Sequence, residues 1–230
     1  MKILGIDTST MTTSIALVED DKILGQIMLT ANMSHSEHLM DTIDFLLRSS
    51  EISIRDIDLF AVAIGPGSFT GIRIGISTVK SFAQSLKKEV VGVSTLEVLA
   101  ANQKSYKHIA SIIDARRNRV YGGIYKSIDG VLENVLPEDI YQWEDFYVEL
   151  QKYEDIVVLG DCIDIHLEDL EKANLNISYG DDNLARASNL CELAKSKYDR
   201  GLVDDCDSIN ANYMGKSQAQ IDFEKRSENV

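Results

Sequence analysis

A glycine-rich block between an apolar run and an amphipathic pattern constrains this chain more than any other stretch. The apolar run 58–64 has the length of a strand, and Gly65-Pro66-Gly67-Ser68-Phe69-Thr70-Gly71 follows it. The first two glycines allow backbone angles that a side chain disfavours, and Ser68 or Thr70 is the predicted N-cap of a helix. Apolar residues then recur at steps of three and four, which predicts a helix with one buried stripe. The stripe consists of Phe69, Ile72, Ile76, Val79, Ala83 and Leu86.

Gly71 and Gly75 lie four residues apart on one face of that predicted helix. Each glycine costs about 1 kcal/mol of helix stability relative to alanine. Glycines at such positions indicate that another group approaches the helix closely, either a second helix or a ligand. We favour the backbone of a neighbouring protein, and therefore expect Gly75→Leu to weaken an interface without unfolding the chain.

The same glycines invite comparison with phosphate-binding loops, and the comparison fails in detail. The third glycine of the pattern stands one place too late for a dinucleotide fingerprint, and the acid nearest the expected offset, Glu89, precedes the next strand instead of ending it. No Lys-Ser or Lys-Thr pair stands where a P-loop needs one. The pattern therefore disfavours nucleotide binding at this turn.

Composition narrows the class of protein. The net charge of −14 over 230 residues disfavours a broad nucleic-acid footprint. Three cysteines, an odd number without the spacing of a metal knuckle, predict reduced thiols. No apolar run approaches the ~20 residues of a membrane span, and the sequence enters a strand pattern at once. We therefore expect a cytoplasmic protein without a signal peptide or membrane segment.

Strands and helices are predicted in the same order twice. The first half reads as strands at 2–7, 12–18 and 23–29, a helix with Leu39, Ile43, Leu46 and Leu47 inward, then the strand, turn and helix above, a strand at 90–93 and a helix at 95–101. The second half reads as strands at 109–114, 120–128 and 131–136, a break at Pro137, a helix at 143–152, a strand at 156–159 and a final helix at about 184–197.

This duplication of a βββαβα unit predicts an α/β fold of two actin-like, sugar-kinase-like (ribonuclease H-like) lobes, 1–104 and 105–230. The final helix is a candidate to pack back onto the first lobe. Each copy opens on a strand that ends in an acid, Asp7 or Asp114. In this architecture the two acids are expected to face one another across a cleft.

The cleft supplies weak candidates for nucleotide or Mg²⁺ binding, namely Asp7, Thr8, Thr10 and Asp114. Asp7 could hold a cation through water, or it could simply accept hydrogen bonds from turn amides, which is the commoner role. An enzyme of the small-molecule kinase or ATPase class, using Asp7, is the alternative function.

Two polar runs stay open to more than one interpretation. His35-Ser36-Glu37-His38 resembles a metal site but lacks a third ligand nearby, so a solvated helix start is favoured. Arg116-Arg117-Asn118-Arg119 could meet the phosphates of a nucleic acid, line the cleft, or neutralise nearby carboxylates. No Ser-His-Asp or Cys-His grouping is readable, so the residues do not support a peptidase.

Three segments resemble the TsaB (YeaZ) family of tRNA threonylcarbamoyladenosine biosynthesis proteins. They are Ile3-Leu4-Gly5-Ile6-Asp7-Thr8-Ser9-Thr10, the block from Gly65 to Gly75, and Asp114-Ala115-Arg116-Arg117. The resemblance covers about residues 1–125 well and the rest weakly. The family usually ends in a Pro-x-Tyr-Leu-Arg-like segment, whereas this chain reads Ala211-Asn212-Tyr213-Met214-Gly215-Lys216.

The resemblance implies a non-catalytic, cofactor-free and metal-free subunit. It would activate a paralogue, TsaD, which transfers threonylcarbamoyl to N6 of A37 in tRNAs reading ANN codons. A small ATPase, TsaE, would join the complex, tRNA would be met indirectly, and the chain alone would form a homodimer. The contact would use helices 37–49 and 68–86. The implied interface residues are His38, Leu39, Thr42, Ile43, Phe69, Gly71, Ile72, Gly75, Ile76 and Val79.

Overall fold

The computed structural model describes residues 1–30 and 35–214, without the side chains of residues 35–37. The first half contains β1 (Lys2–Asp7), β2 (Thr12–Glu19), β3 (Lys22–Thr30), α1 (His35–Ser49), β4 (Leu59–Ala63), α2 (Phe69–Leu86), β5 (Glu89–Val93) and α3 (Thr95–Ala100). The second half contains β6 (His108–Asp114), β7 (Arg119–Ile128), β8 (Val131–Gln142), α4 (Trp143–Leu150), β9 (Ile156–Gly160), α5 (Ile163–Lys172), β10 (Asn176–Ile177) and α6 (Ala187–Asp199).

The two halves build two five-stranded sheets of the same topology. The first sheet has the order β3-β2-β1-β4-β5 and the second has the matching order β8-β7-β6-β9-β10. In each sheet the first three strands form an antiparallel meander, and the remaining two run parallel to the first strand of the meander. The predicted duplicated α/β fold of the actin-like and sugar-kinase-like type is confirmed.

A shared core lies between the two sheets. Side chains of β1, β4 and β5 from the first sheet, and of β6, β7 and β9 from the second, meet around α3 and α6 in one apolar cluster. The last helix, α6, packs against β1 and β2 of the first sheet. Gly5 on β1 makes this approach close, because a β-carbon there would stand 2.6 Å from the sulfur of Cys191. The second half of the chain thus covers one face of the first sheet.

The other face of the first sheet is covered by α1 and α2. The predicted inward residues of α1 are all buried; they are Leu39, Ile43, Leu46 and Leu47. Ser68 is the N-cap of α2 and accepts a hydrogen bond from the N–H of Gly71 at 3.2 Å. Of the predicted stripe, Phe69 is 43% exposed and Leu86 is only half-buried, because both stand at the ends of the helix.

The prediction for the second half needs correction at three elements, β8, α5 and β10. The predicted break at Pro137 is wrong, since β8 runs through it to Gln142. Proline is tolerated there because β8 is an edge strand and its pairing with β7 shifts register between Gly122 and Ile124. The short elements α5 and β10 were not predicted. In the first half, the side chains of residues 35–37, which belong to the run that resembles a metal site, lie outside the described part of the structure.

Candidate functional site

The turn that follows β1 packs directly onto the glycine block. Thr8 Oγ1 donates a hydrogen bond to the carbonyl of Gly71 at 2.7 Å, and the N–H of Ser68 donates to the carbonyl of Ser9 at 2.6 Å. A β-carbon on Gly71 would lie 1.9 Å from the Thr8 carbonyl oxygen, and one on Gly67 would lie 2.1 Å from that of Ser9. The two turns therefore pack against each other and leave no room for a ligand between them.

This packing corrects the interpretation of the helix glycines. Gly75 is buried, and a β-carbon there would stand 2.7 Å from Thr8 Oγ1 and 3.4 Å from Val62 Cγ2. The group that approaches α2 is the chain's own turn, and the expectation of a partner's backbone at Gly71 and Gly75 is wrong. Leucine at position 75 would collide with the chain itself, so the expectation that Gly75→Leu weakens an interface and leaves the fold intact is also wrong.

Most of the implied interface residues are buried inside the chain. The buried ones are Leu39, Ile43, Gly71, Ile72, Gly75, Ile76 and Val79. Little of their surface is open to a partner in this conformation, because each helix turns its apolar stripe toward its own sheet. His38 and Phe69 are exposed and Thr42 is half-buried.

The outward faces of the two helices carry apolar side chains, of which the sequence pattern singled out only Phe69. On α1, Met40 is 52% and Phe45 is 64% exposed, and Phe69 begins α2. Met40 and Phe45 are large apolar residues that lie outside the predicted buried stripe of α1. Their position outside that stripe could have identified them as exposed from the sequence alone. Large exposed apolar side chains on neighbouring helices are typical of a contact surface.

Asp7 is buried at the end of β1 and is held by Ser9. Its Oδ1 accepts hydrogen bonds from the Ser9 N–H at 2.8 Å and from the Ser9 hydroxyl at 2.6 Å. Its Oδ2 is buried and has no hydrogen-bond partner within the described part of the chain. Burial raises the pKa of Asp7 to about 6, although the two Ser9 hydrogen bonds act in the opposite direction. Thr10, the next candidate, is only half-buried and interacts locally with Thr12.

Asp114 ends β6 and organises the turn after it. Its Oδ1 accepts from the N–H of Arg116 at 2.7 Å, and its own N–H donates to Asp161 Oδ1 at 3.0 Å. In the described residues no hydrogen bond or ion pair joins Asp114 to Asp7. The two acids hold their own turns, and neither approaches the other as a bound pair.

A half-buried carboxyl group links the glycine block to the second sheet. Glu138 on β8 accepts hydrogen bonds from Ser94 Oγ at 2.6 Å and from the hydroxyl of Tyr125. Ser94 is the N-cap of α3, and the next residue, Thr95, donates its N–H to the Gly65 carbonyl at 2.9 Å. Burial raises the pKa of Glu138 and holds that of Tyr125 well above its usual value. Sequence reasoning missed this link, since its members lie far apart in the chain.

The segment after α6 returns to the first half and ends on α2. Asp204 pairs with Val90 at the edge of β5, and the N–H of Asn212 donates to the Ile64 carbonyl at 2.7 Å. Tyr213 then stacks on Phe69 with ring centroids 5.0 Å apart. Arg73 completes this cluster. Its Nε donates to the Tyr213 hydroxyl at 2.8 Å, and its guanidinium lies 3.8 Å from the Phe69 ring centroid.

Residues 1–30 and 35–214 contain neither a metal-ligand cluster nor a membrane-spanning helix. No group of three or more His, Cys, Asp or Glu side chains in that part of the chain could hold a metal ion. No helix there is both long and apolar enough to cross a bilayer.

Comparison with known proteins gives a consistent family. Residues 23–221 match the family model of TsaD, tRNA N6-adenosine threonylcarbamoyltransferase. The tRNA threonylcarbamoyladenosine biosynthesis protein TsaB of Bacillus subtilis is 36% identical over 203 residues, which is 86% of this chain and 88% of the relative.

Solved structures agree on the fold. YeaZ from Pseudomonas aeruginosa superposes with a TM-score of 0.80 at 25% identity, covering 92% of this chain and 99% of that one. An activator of 2-hydroxyisocaproyl-CoA dehydratase from Clostridium difficile, solved with ADPNP, has a TM-score of 0.50 at 11% identity, covering 89% and 99%. The latter likeness shows the fold alone. With its sequence relatives, its family model and its duplicated fold in agreement, the chain belongs to the TsaB (YeaZ) family of tRNA threonylcarbamoyladenosine biosynthesis proteins.

Proposed function

We propose that this chain is a non-catalytic scaffold that activates a TsaD-type subunit by dimerising with it. The subunit transfers threonylcarbamoyl to N6 of A37 in tRNAs that read ANN codons. A TsaE-type ATPase binds to the complex of the two subunits, and the chain contacts tRNA only as part of that complex. The chain forms a homodimer when the TsaD-type subunit is absent. We place this activity in the cytoplasm.

The observation that carries the proposal is the closed arrangement of the two turns. In an actin-like catalyst the turn after the first strand must approach the phosphates of a nucleotide. Here the Ser9 carbonyl is hydrogen-bonded to Ser68, and the Thr8 carbonyl lies against Gly71. A phosphate bound between these two turns would have to displace the chain's own backbone. This packing favours a scaffold over a nucleotide-using enzyme.

The burial of Asp7 weighs against the alternative, a small-molecule kinase or ATPase. A catalytic carboxylate must reach the substrate or its metal ion. The Asp7 side chain is fully buried, and Ser9 occupies one of its oxygens.

The proposed contact surface consists of the outward faces of α1 and α2. Its exposed members are His38, Met40, Phe45, Phe69 and Arg73. Aromatic and arginine side chains commonly contribute most of the binding energy of interfaces. The buried residues of both helices shape this surface from beneath, since they fix the position of each helix on the sheet.

Co-purification with the TsaD-type subunit of the same organism tests the proposal. We expect a one-to-one complex in size-exclusion chromatography with light scattering, and the Phe45→Asp change should weaken it at least about tenfold, as loss of an interface anchor does. The matched control is Ile165→Asp on α5, where the side chain is 65% exposed on the other half of the chain. That control should leave the complex intact.

Activity separates the two candidate functions. The purified chain should not turn over ATP alone, and an Asp7→Asn variant should support threonylcarbamoyl transfer by the complex at the normal rate. Loss of transfer in a folded Asp7→Asn variant would favour the enzyme.

A further inference from the structure

The turn between β6 and β7 has a backbone conformation that residues other than glycine rarely adopt. Arg116, Arg117 and Asn118 have φ angles of 63°, 57° and 57°. Three consecutive residues other than glycine therefore occupy the left-handed region, in which L-residues are disfavoured. Backbone of this kind persists only where the surrounding structure holds it, and it clusters at functional sites.

Neighbouring elements hold this turn firmly. The N–H of Ala115 donates to the Arg119 carbonyl at 3.0 Å and closes the base of the turn. The Asn118 carbonyl accepts from the N–H of Trp143 at 3.0 Å, and the Asn118 amide donates to Glu144 Oε1 at 2.7 Å. With the Asp114 cap described above, the tip is tied to β7 and α4. The arginines at the tip thus project from a fixed base.

Neutralisation of nearby carboxylates explains only part of this basic run. Arg119 turns back and donates to the carbonyls of Arg116 and Ala115. Arg116 lies 3.4 Å from Asp114, but its side chain is 86% exposed, and such surface pairs contribute little. Arg117 is exposed and has no side-chain hydrogen bond or ion pair within the described residues.

Arginines are concentrated in this turn of an acidic protein, and the carboxylates of Glu144 and Asp161 lie beside it. The six residues from Asp114 to Arg119 contain three arginines and one carboxylate, in a chain of net charge −14. Of the neighbouring acids, Glu144 accepts from Asn118 and Asp161 accepts from the Asp114 N–H. Two guanidinium groups on a fixed tip suit phosphate oxygens, which arginine binds through paired hydrogen bonds.

We propose that this turn binds phosphate groups of an RNA backbone, with Arg116 and Arg117 as the contacting residues. The inference rests on the proposed function, in which a tRNA is the substrate of the complex. An RNA backbone suits the turn better than a single phosphate does. Both arginines stand exposed on a protruding tip, and a polyanion presents successive phosphates to both at once.

The test is a titration of fluorescein-labelled tRNA transcript, with an anticodon that reads an ANN codon, monitored by anisotropy. It is run on the full chain alone at low salt and on the complex with the TsaD-type subunit. The variant is Arg116→Asn/Arg117→Asn, because asparagine tolerates the left-handed region. The matched control, Arg55→Asn/Arg200→Asn, removes the same charge from two exposed arginines elsewhere.

Loss of both arginines should weaken tRNA binding about fivefold or more and lower the slope of log Kd against log salt by about 1.5, as expected for two phosphate contacts. The control should change binding less than about twofold, and circular dichroism should match for all proteins. Equal binding by the variant and the control would overturn the proposal. Competition by inorganic phosphate at low millimolar concentration would also overturn it, in favour of a small-anion site.

Failure of the proposed function is distinguishable from failure of this inference. Absence of a complex in size-exclusion chromatography would count against the scaffold alone, and the titration of the isolated chain would still decide the role of the turn. An intact, active complex with unchanged tRNA binding by the variant would reject the turn alone.

Discussion

The Thr8 hydroxyl donates a hydrogen bond to the carbonyl of Gly71 at 2.7 Å, and the Thr8 carbonyl lies where a side chain on Gly71 would begin. This contact locks the end of the first strand onto the first turn of α2. It explains why a helix contains a residue that weakens helices. It also moves the functional question from the glycines to the outward faces of α1 and α2.

Replacing Gly71 with alanine should destabilise the fold. Alanine favours a helix by about 1 kcal/mol, but its β-carbon would lie 1.9 Å from a backbone oxygen, and overpacking of this kind costs about 1–3 kcal/mol or more. We expect the free energy of unfolding in urea to fall by about 1–3 kcal/mol. Ser77→Ala, on the exposed face of α2, should stay within about 0.5 kcal/mol. A more stable Gly71→Ala protein would contradict the packing described here.

Asp7 should make stability depend on pH. Its folded pKa of about 6 lies above the ordinary value of 3.8, so the folded state binds a proton more tightly than the unfolded state between these values. Stability from this group is therefore present at low pH and is lost as pH rises toward 6. Asp7→Asn removes this loss. Relative to the wild type, its free energy of unfolding should rise by about 2–3 kcal/mol between pH 4 and pH 7.

Urea unfolding of both proteins at pH 4, 5, 6 and 7 measures that difference. Parallel curves across the range would show that the carboxyl group of Asp7 titrates normally in the folded protein.

Glu138 should contribute more stability than its position on an edge strand suggests. Glu138→Ala leaves the hydroxyls of Ser94 and Tyr125 without their acceptor, and a buried unsatisfied group costs about 1–3 kcal/mol. We expect a loss of about 2–3 kcal/mol in urea unfolding, and a smaller loss for Glu138→Gln, which keeps one acceptor. Glu133→Ala, at an exposed position of the same strand, is the control. Equal effects at the two positions would argue against the link between the halves.

The cluster of Tyr213, Phe69 and Arg73 should hold the end of the described chain against α2. Tyr213→Ala removes the ring stack and the hydrogen bond to Arg73, so the Asn212 N–H should exchange with deuterium at least about tenfold faster. Global stability should change by less than about 1 kcal/mol, because Tyr213 is 45% exposed. Tyr179→Ala, at another exposed tyrosine, should leave that exchange rate unchanged.

Local patterns were sufficient to predict most of the fold. Alternation, apolar stripes and caps are properties of neighbouring residues, so Ser68 as N-cap and the inward face of α1 follow from the sequence. Pro137 misled the prediction because tolerance of proline depends on whether a strand lies at an edge, which is a property of the whole sheet. The short, highly charged α5 offered only a weak stripe.

The candidate site was harder to predict because its contacts join distant segments. Glycine in a helix indicates a close neighbour but does not identify it, and here the neighbour is Thr8, 63 residues away in sequence. The Ser94–Glu138 bond joins two sheets and leaves no periodic signal. The apolar stripes made the helices easy to predict. Their burial against the sheet leaves those residues little surface for a partner.

The return of α6 to the first sheet also affects synthesis on the ribosome. Strands β1 and β2 emerge early, yet the helix that covers one of their faces lies at residues 187–199. That apolar face stays exposed until α6 has been synthesised. Nascent chains with exposed apolar surface are prone to aggregate. One face of the first sheet is therefore covered only after residues 187–199 have left the exit tunnel.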